Sequence, residues 1–259
     1  MGLGATKRMS NNLVNRSVLV TGGGSGIGEA IARGSAARGA IVIVADISEA
    51  AARAVADDIC AAGGRAIAKI LDVTDPSSQR ECVDDIVARF GSLNAVVNNA
   101  GVAGPQKILD QIDEREWQDV LRVNLDGVFL GMKYQAPAMV RSGGGAIVNN
   151  ASMFGLVART SMAAYIASKH GVIGLTKAAA LDYAGTGLRI NAVAPGVIDT
   201  PLLRANADAP EADRLQALHP IGRLGTPDDV SNVVNFLISD EAAFVTGAVF
   251  SVDGAYTAQ

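Results

Sequence analysis

The 259-residue chain carries a formal net charge of −4, and 49% of its residues are hydrophobic while only 4% are aromatic. This content can fill one substantial core of alanine, valine, isoleucine and leucine, and the negative charge gives no electrostatic reason to expect nucleic acid or an anionic membrane as a partner. Because we find no signal-peptide pattern and no apolar run long enough to cross a bilayer, we expect a cytoplasmic protein.

After a polar N-terminal tail at residues 1–14, which we expect to be flexible, short β-branched segments alternate with helical patterns. In chain order the patterns predict a strand at 17–21, a helix at 26–38, a strand at 40–45, a helix at 49–62, a strand at 65–71, a helix at 76–90, a strand at 93–98, a helix at 114–141, a strand at 146–151, a helix at 163–184, a strand at 189–194, a helix at 227–238 and a strand at 249–252. This alternation predicts a single α/β domain over residues 15–259, with a parallel sheet between two layers of helices. Ligands of such folds bind at the carboxyl ends of the strands.

A glycine-rich loop, TGGGSGIG at residues 21–28, joins the first strand to the first helix. Glycines let the backbone approach a pyrophosphate closely, and the free N–H groups of the helix attract its charge. Gly22, Gly26 and Gly28 follow a GxxxGxG spacing rather than GxGxxG, so the loop alone is weak evidence for a nucleotide site.

Asp46 ends the second predicted strand, roughly twenty residues beyond the loop, where an acidic residue can meet the adenosine ribose hydroxyls. The alternative is a carboxylate at a helix N-terminus, although Ser48 is the better cap candidate there. The charge of Asp46 would repel a 2′-phosphate, and neither Ser25 nor Ile47 supplies a cation to bind one. The sequence therefore predicts NAD(H) rather than NADP(H).

Polar residues also follow the third and fourth predicted strands. Asp72-Val73 closes the third, where the carboxylate can accept from an adenine amino group, and Asn98-Asn99-Ala100-Gly101 closes the fourth. Each pattern alone is more often a turn than a binding site. Their shared position at the carboxyl edge of the sheet favours a cofactor site.

Tyr165 and Lys169 stand four residues apart in a helical pattern, so both project from one face. Alone, such a pair is more often an exposed helix pair. Ser152 ends the fifth predicted strand shortly before Tyr165, and its hydroxyl can steady a substrate oxygen. Asn124 is a polar residue inside a predicted helix, and a water chain running to Lys169 would satisfy its amide. We expect the Lys169 ammonium, assisted by a positive nicotinamide, to lower the pKa of Tyr165.

Together these residues resemble the single-domain, NAD-preferring members of the short-chain dehydrogenase/reductase family, from about residue 15 to residue 254. The matching positions are TGGGSGIG at 21–28, Asp46, Asp72-Val73, NNAG at 98–101, Asn124, Ser152, YxxxK at 165–169 and Pro195-Gly196. The resemblance implies a Rossmann fold with a seven-stranded parallel sheet. It also implies a homotetramer assembled through the two long helices and the C-terminal strand.

The resemblance implies that Asn124, Ser152, Tyr165 and Lys169 form a catalytic tetrad. Tyr165 would be the acid/base in hydride transfer between an alcohol or ketone and the nicotinamide. The cofactor would be held by Gly22, Ser25, Gly26, Ile27, Gly28, Asp46, Ile47, Asp72, Val73, Asn99, Ala100, Gly101, Tyr165, Lys169, Pro195, Gly196, Ile198 and Thr200. Ile198 and Thr200 belong to the stretch that resembles the family's nicotinamide-binding loop.

The substrate is expected to contact Ser152, Phe154 and Tyr165, beneath a mobile lid at about residues 200–218. The apolar stretch at 153–157 suggests a compact hydrophobic or alicyclic alcohol. Segments 129–135, 219–223 and 253–259 resemble family members that oxidise cyclic alcohols and dihydrodiols.

Three alternatives remain open. A 3-oxoacyl-thioester reductase is the nearest, although Asp46 argues against its usual NADPH preference. Sugar-nucleotide epimerases and dehydratases usually carry a longer C-terminal substrate domain. A non-catalytic NAD(H) sensor would be expected to lack Ser152, Tyr165 or Lys169. His170 and His219 have no metal-ligand spacing, and we predict no metal site.

Overall fold

A computed structural model of the chain describes residues 12–206 and 214–259. Its strands are β1 (Ser17–Thr21), β2 (Ile41–Asp46), β3 (Arg65–Ile70), β4 (Ala95–Asn98), β5 (Gly145–Asn150), β6 (Leu188–Pro195) and β7 (Val249–Val252). Its helices are α1 (Gly26–Ala37), α2 (Glu49–Ala61), α3 (Pro76–Phe90), α4 (Glu114–Leu121), α5 (Gly127–Arg141), α6 (Ala163–Asp182), α7 (Pro201–Asn206) and α8 (Pro227–Leu237).

The strands form one seven-stranded sheet in the order β3-β2-β1-β4-β5-β6-β7, and every neighbouring pair is parallel. The predicted seven-stranded parallel Rossmann fold is therefore confirmed. The strand order reverses between β1 and β4, and this reversal opens a crevice at the carboxyl edge of the sheet.

Each face of the sheet packs on its own hydrophobic core. Along β1, Val18 and Val20 belong to the core shared with α1, α2 and α8, which includes Val234. Leu19, between them, belongs to the core shared with α3, α5 and α6, which includes Met139. Successive side chains of a strand point to opposite faces, so continuous apolar strands are stable only between two helical layers. This packing holds the carboxyl edge of the sheet in place.

The predicted helix at 114–141 is confirmed at both ends, but it is not α-helical throughout. A π-helical turn, Arg122–Asp126, separates α4 from α5, and the N–H of Gly127 donates to the carbonyl of Arg122. Asn124 lies in this turn, where its amide bonds to the backbone of Val102. The other predicted boundaries differ from the structure by one or two residues at most.

The predicted N-terminal tail falls mostly on residues 1–11, outside the described residues. Leu13, within the predicted tail, is fully buried, and its N–H donates to the carbonyl of Arg38 over 3.2 Å. The packed domain thus includes Leu13. Within the described ranges, none of the helices is long and apolar enough to span a membrane.

Helix α1 begins very close to the sheet edge, and Gly28 makes this possible. A Cβ atom at Gly28 would lie 2.0 Å from the carbonyl oxygen of Gly22 and 2.6 Å from Nδ2 of Asn99. Both neighbours are fixed by hydrogen bonds, since Asn99 Nδ2 donates to the carbonyl of Gly22 over 3.0 Å. No side chain larger than hydrogen fits at this position without moving the loop.

We expect Gly28→Ala to lower the free energy of unfolding by about 1–3 kcal/mol, because the added methyl group overlaps backbone atoms. Urea denaturation followed by circular dichroism measures the change. The matched control is Gly174→Ala in α6, where no atom lies within 4 Å of an added Cβ. That substitution is expected to stabilise the helix by about 0.5–1 kcal/mol. Equal denaturation midpoints for Gly28→Ala and the wild type would contradict this account of the loop.

Candidate active site

The glycine-rich loop lies at the crevice and has the geometry of a phosphate site. Gly22 (φ 60°) and Gly26 (φ 56°) adopt left-handed backbone conformations that only glycine takes without strain. Ser25 is the N-cap residue of α1, but its side chain makes no capping hydrogen bond. The first N–H groups of α1 therefore remain available to an anion at the sheet edge.

Asp46, the last residue of β2, holds the outer side of this loop. Its Oδ2 accepts from the N–H of Gly24 over 3.0 Å, and its Oδ1 accepts from the N–H of Ser48 over 3.0 Å. Ser48 is the cap of α2, and its side chain accepts from the N–H of Ala51. The structure thus fixes an acidic group beside the loop, and the neighbouring Ile47 is 71% exposed.

Asn99 ties the end of β4 to the end of β1. Its N–H and that of Ala100 donate to Oγ1 of Thr21 over 3.0 and 3.1 Å. Its side-chain Nδ2 donates to the carbonyls of Thr21 and Gly22, both over 3.0 Å. Its Oδ1 accepts from Nδ2 of Asn150 over 2.8 Å. The side-chain amide of Asn99 therefore bonds to other groups of the protein, and it holds the glycine-rich loop in place.

Asp72 and Val73 follow β3, the outermost strand on the β2 side of the sheet. Oδ1 of Asp72 accepts from both the N–H and the hydroxyl of Thr74 over 2.8 Å, so it closes a tight turn. Val73 packs against Gly127, where an added Cβ would lie 3.0 Å from its Cγ2. These residues sit at the outer end of the same edge as Asp46.

The structure brings Ser152, Tyr165 and Lys169 together. Ser152 follows β5, and its side chain is hydrogen-bonded to that of Tyr165. Nζ of Lys169 lies 5.6 Å from the centre of the Tyr165 ring and donates to the carbonyl of Asn150 over 2.8 Å. Tyr165 is partly buried and Lys169 is only 4% exposed. A hydroxyl, a phenol and an amine thus form one cluster at the end of β5.

Asn124 lies next to this cluster, but its partners differ from the expectation. Its Oδ1 accepts from the N–H of Val102 over 2.8 Å, and its Nδ2 donates to the carbonyl of Val102 and to Oγ of Ser168. Protein atoms, rather than the predicted water chain, therefore satisfy the amide. A Cβ at Gly101 would lie 3.1 Å from Asn124 Oδ1 and 3.6 Å from Lys169 Nζ, so Gly101 leaves space between them.

Burial disfavours charge on both Tyr165 and Lys169. It raises the pKa of Tyr165 above its usual value, and the hydrogen bond from Ser152 only partly opposes the effect. It lowers the pKa of Lys169 to about 8. The expected lowering of the Tyr165 pKa by Lys169 involves a bound nicotinamide, so it concerns the occupied site and stays a prediction.

The loop after β6 reaches the glycine-rich loop. Pro195 ends β6, Ile198 is 6% exposed, and a Cβ at Gly26 would lie 3.4 Å from Cγ2 of Thr200. The loop therefore crosses the N-terminus of α1. The predicted lid at about 200–218 includes residues 207–213, which lie outside the described residues. Its described part contains α7 and the buried Leu215.

His219 is a residue that the sequence reasoning missed. The N–H of Val197 donates to His219 Nε2 over 3.1 Å, so Nε2 is the acceptor and Nδ1 carries the hydrogen that it shares with the carbonyl of Leu215 at 2.8 Å. A Cβ at Gly196 would lie 2.9 Å from Nε2. The imidazole thus fixes the start of the loop after β6.

Phe154 is only 6% exposed, because the C-terminal segment covers it. Its ring packs edge to face on Tyr256 with 6.2 Å between ring centres, and Tyr256 lies 5.5 Å from the ring of His219. The predicted contact of Phe154 with substrate is therefore limited to a small part of its surface. Tyr256 was not predicted as a site residue, since only the tertiary fold brings it against Phe154 and His219.

Within residues 12–206 and 214–259, no group of three or more His, Cys, Asp and Glu side chains is placed to hold a metal ion. The polar groups that the described residues place at the site are the glycine-rich loop, the fixed carboxylate of Asp46 and the cluster of Ser152, Tyr165 and Lys169. A loop of this geometry suits a pyrophosphate, and the phenol suits proton exchange with a substrate oxygen.

The fold and the site together define a nucleotide-dependent oxidoreductase. A protein-family model described as Enoyl-(Acyl carrier protein) reductase matches residues 22–257. Over 253 residues, 98% of this chain and 99% of the relative, the chain is 47% identical to the cyclohexanol dehydrogenase of Acinetobacter sp. (strain SE19). It is 44% identical to the cis-4-hydroxycyclohexanecarboxylate dehydrogenase of Sinomonas cyclohexanicum, with 96% and 100% of the two chains covered.

One solved structure gives the same result in three dimensions. A crystal structure of an NAD(P) dependent protein from Beutenbergia cavernae with bound NADP (low occupancy) superposes with a TM-score of 0.90. It is 38% identical in sequence, with 97% of this chain and 100% of that chain covered. The chain belongs to the short-chain dehydrogenase/reductase family. It is an oxidoreductase of alcohols and ketones that uses a nicotinamide cofactor.

The buried amine predicts a pH effect on stability. Burial lowers the pKa of Lys169 from its usual 10.5 to about 8 in the folded state, so the unfolded chain binds more protons between these values. Lys169 therefore makes the free energy of unfolding rise with pH across this window, with a steepest slope of about 1.4 kcal/mol per pH unit. Urea denaturation at several pH values measures this slope.

Lys169→Met removes the titrating group, so the free energy of unfolding of the wild type minus that of the variant should increase from pH 8 to pH 10.5. Lys177→Met, on the exposed side of α6, controls for the loss of a positive charge from that helix. A difference between wild type and Lys169→Met that stays constant with pH would argue against the buried ammonium.

Proposed function

We propose that the protein transfers hydride between NAD(H) and a secondary, cyclic or hydrophobic alcohol, with Tyr165 as the acid/base. The observation that carries the proposal is the cluster of Ser152, Tyr165 and Lys169 at the end of β5. This cluster lies at the same sheet edge as the glycine-rich loop, so a dinucleotide on the loop can reach it.

Each member of the cluster has a role that its contacts support. The Ser152 hydroxyl lies against the Tyr165 phenol, where both groups can hydrogen-bond to one substrate oxygen. Tyr165 then exchanges the proton of that oxygen. Bound oxidised nicotinamide would supply the hydride acceptor and a positive charge that favours the phenolate. Lys169, held on the carbonyl of Asn150, can bind ribose hydroxyls beside the phenol.

The support for a cyclic or hydrophobic substrate comes from the walls of the site and from the relatives. Val102, in the loop after β4, and Leu156, in the turn after Ser152, are each 40% exposed and offer apolar surface. Two relatives that cover nearly the whole chain are named for cyclohexanol and for a hydroxycyclohexanecarboxylate. We therefore infer an alicyclic secondary alcohol as the substrate class.

The preference for NAD(H) rests on Asp46. Its carboxylate is fixed by the N–H groups of Gly24 and Ser48, so it cannot easily turn away from an incoming 2′-phosphate. Ile47, the next residue, is exposed but carries no charge. Electrostatic repulsion at this position favours a free 2′-hydroxyl.

We also propose self-association, with a homotetramer as the expected form. Large apolar side chains are exposed on the two long helices, namely Phe129 on α5 (48%) and Leu181 on α6 (78%). Phe244, just before β7, is fully exposed, and β7 is an edge strand of the sheet. Exposed apolar patches and free strand edges are typical of interfaces between subunits.

A 3-oxoacyl-thioester reductase is the second candidate, and the description of the matching family model, which names acyl carrier protein, favours it. A NAD(H)-binding sensor is less well supported, because the chain retains Ser152, Tyr165 and Lys169 in contact. Substrate turnover separates these possibilities directly.

The first test is reduction of NAD⁺ with a panel of cyclic secondary alcohols, including cyclohexanol, followed at 340 nm. We expect turnover with the wild type, and Tyr165→Phe should lower kcat by about 10²–10⁴-fold because the proton-transfer group is lost. NADH binding, measured by fluorescence, should change by less than about twofold, since no charge is removed.

The matched control is Tyr134→Phe on α5. It removes a phenolic hydroxyl from a tyrosine packed against the core that contains Leu19 and Met139, and it should keep full turnover. Retained activity in Tyr165→Phe would refute the acid/base assignment. Turnover of acyl thioesters or sugars in place of cyclic alcohols would refute the substrate class.

The second test concerns the cofactor. Wild-type protein should have a higher kcat/KM with NADH than with NADPH. Asp46→Asn should lower the ratio of these two kcat/KM values by about tenfold, because it removes the charge that repels the 2′-phosphate. Asp57→Asn, on the exposed face of α2, is the matched control and should leave the ratio unchanged. A wild-type preference for NADPH would show that Asp46 does not select the cofactor.

A further inference from the structure

Asn150, the last residue of β5, has a buried amide oxygen without a partner. The residue is 8% exposed, and its Oδ1 accepts no hydrogen bond from the described residues. A buried acceptor left unpaired is unfavourable, so such an atom usually marks a missing donor. Asn12 and Gln79 also have such an oxygen. Of the three, Asn150 is the one bonded to both Asn99 and Lys169.

The orientation of this amide is dictated by its neighbours. Asn99 must direct its Nδ2 toward the carbonyls of Thr21 and Gly22, because two acceptors require a donor. The Oδ1 of Asn99 therefore faces Asn150. Because this oxygen is an acceptor, Asn150 must donate to it with Nδ2, over 2.8 Å. A reversed Asn150 amide would place two oxygens in contact. The unpaired atom is thus an acceptor, and none of the described residues supplies its donor.

The sheet topology places this acceptor at the nicotinamide half of a dinucleotide. β2, which ends in Asp46, and β5, which ends in Asn150, lie on opposite sides of the crevice between β1 and β4. If Asp46 meets the adenosine ribose, the end of β5 meets the other half of the molecule. The pyrophosphate offers only acceptors, whereas the second ribose offers hydroxyl donors.

Lys169 narrows the choice further. Its Nζ already donates to the backbone carbonyl of Asn150, so the amine lies beside the residue that carries the unpaired amide oxygen. We propose that Asn150 Oδ1 accepts a hydrogen bond from a hydroxyl of the ribose next to the nicotinamide. Asn150 then positions the cofactor against the acid/base cluster. The inference rests on the proposed function, because it requires a bound dinucleotide.

The test compares ligands that contain or lack this ribose. Calorimetric titration of Asn150→Ala should show NADH and ADP-ribose binding about 5–10-fold more weakly than to the wild type, since one hydrogen bond is lost. Binding of ADP, which lacks the second ribose, should change by less than about twofold. Asn150→Ser, whose short hydroxyl does not reach as far, should show the same selectivity and serves if the alanine variant does not fold.

The matched control is the preceding residue. Asn149 is also a fully buried amide of β5, but its Nδ2 donates to Oγ1 of Thr176 over 2.9 Å and its Oδ1 accepts from Asn98. Asn149→Ala should lower stability and leave the ratio of NADH to ADP affinity unchanged.

Three results would overturn the inference. Equal weakening of ADP and NADH would show that Asn150 acts only through Asn99 and the glycine-rich loop. Unchanged affinity for all three ligands would show that water satisfies the oxygen. Wild-type protein that binds neither NADH nor NADPH would refute the proposed function itself, which separates that failure from a failure at Asn150.

Discussion

Thr21 and Asn99 join the carboxyl ends of β1 and β4 at the point where the strand order of the sheet reverses. The crevice of a doubly wound sheet forms because the connections after these two neighbouring strands run to opposite faces, α1 to one core and α5 to the other. The same amide group also fixes Gly22 and reaches Asn150 at the end of β5. The shape of the glycine-rich loop and the position of the end of β5, next to Ser152, thus depend on one set of hydrogen bonds.

The cluster of Ser152, Tyr165 and Lys169 contains two groups whose charged forms are disfavoured by burial. Tyr165 and Lys169 both lie where burial favours their neutral forms, which shifts their pKa values in opposite directions. A phenolate is therefore unfavourable until positive charge arrives in the same low-dielectric space. In the proposed function, this arrangement would couple proton abstraction to occupation of the cofactor site, because an oxidised nicotinamide would supply that charge.

The sequence predicted the fold well because β-branched strands and helical periodicity are local signals, and Asp46, Ser152 and Tyr165 sit at places that those signals mark. The contacts that complete the site could not be predicted in this way. Asn124, in the π-helical turn, pairs with Val102, which lies on a different segment. His219 acts through the N–H of Val197, and that pairing is visible only after the chain has folded.

The π-helical turn also restricts how the chain can change in length. Each residue of an α-helix advances the rotation by about 100°, so removing one residue from the turn would rotate all of α5 by that angle relative to α4. Gly131 and Gln135, which now pack against Asn98 beneath the site, would then face another direction. The additional residue of the π-helical turn thus sets the rotation of α5 relative to α4. Insertions or deletions are therefore better tolerated in the surface loops than in this segment.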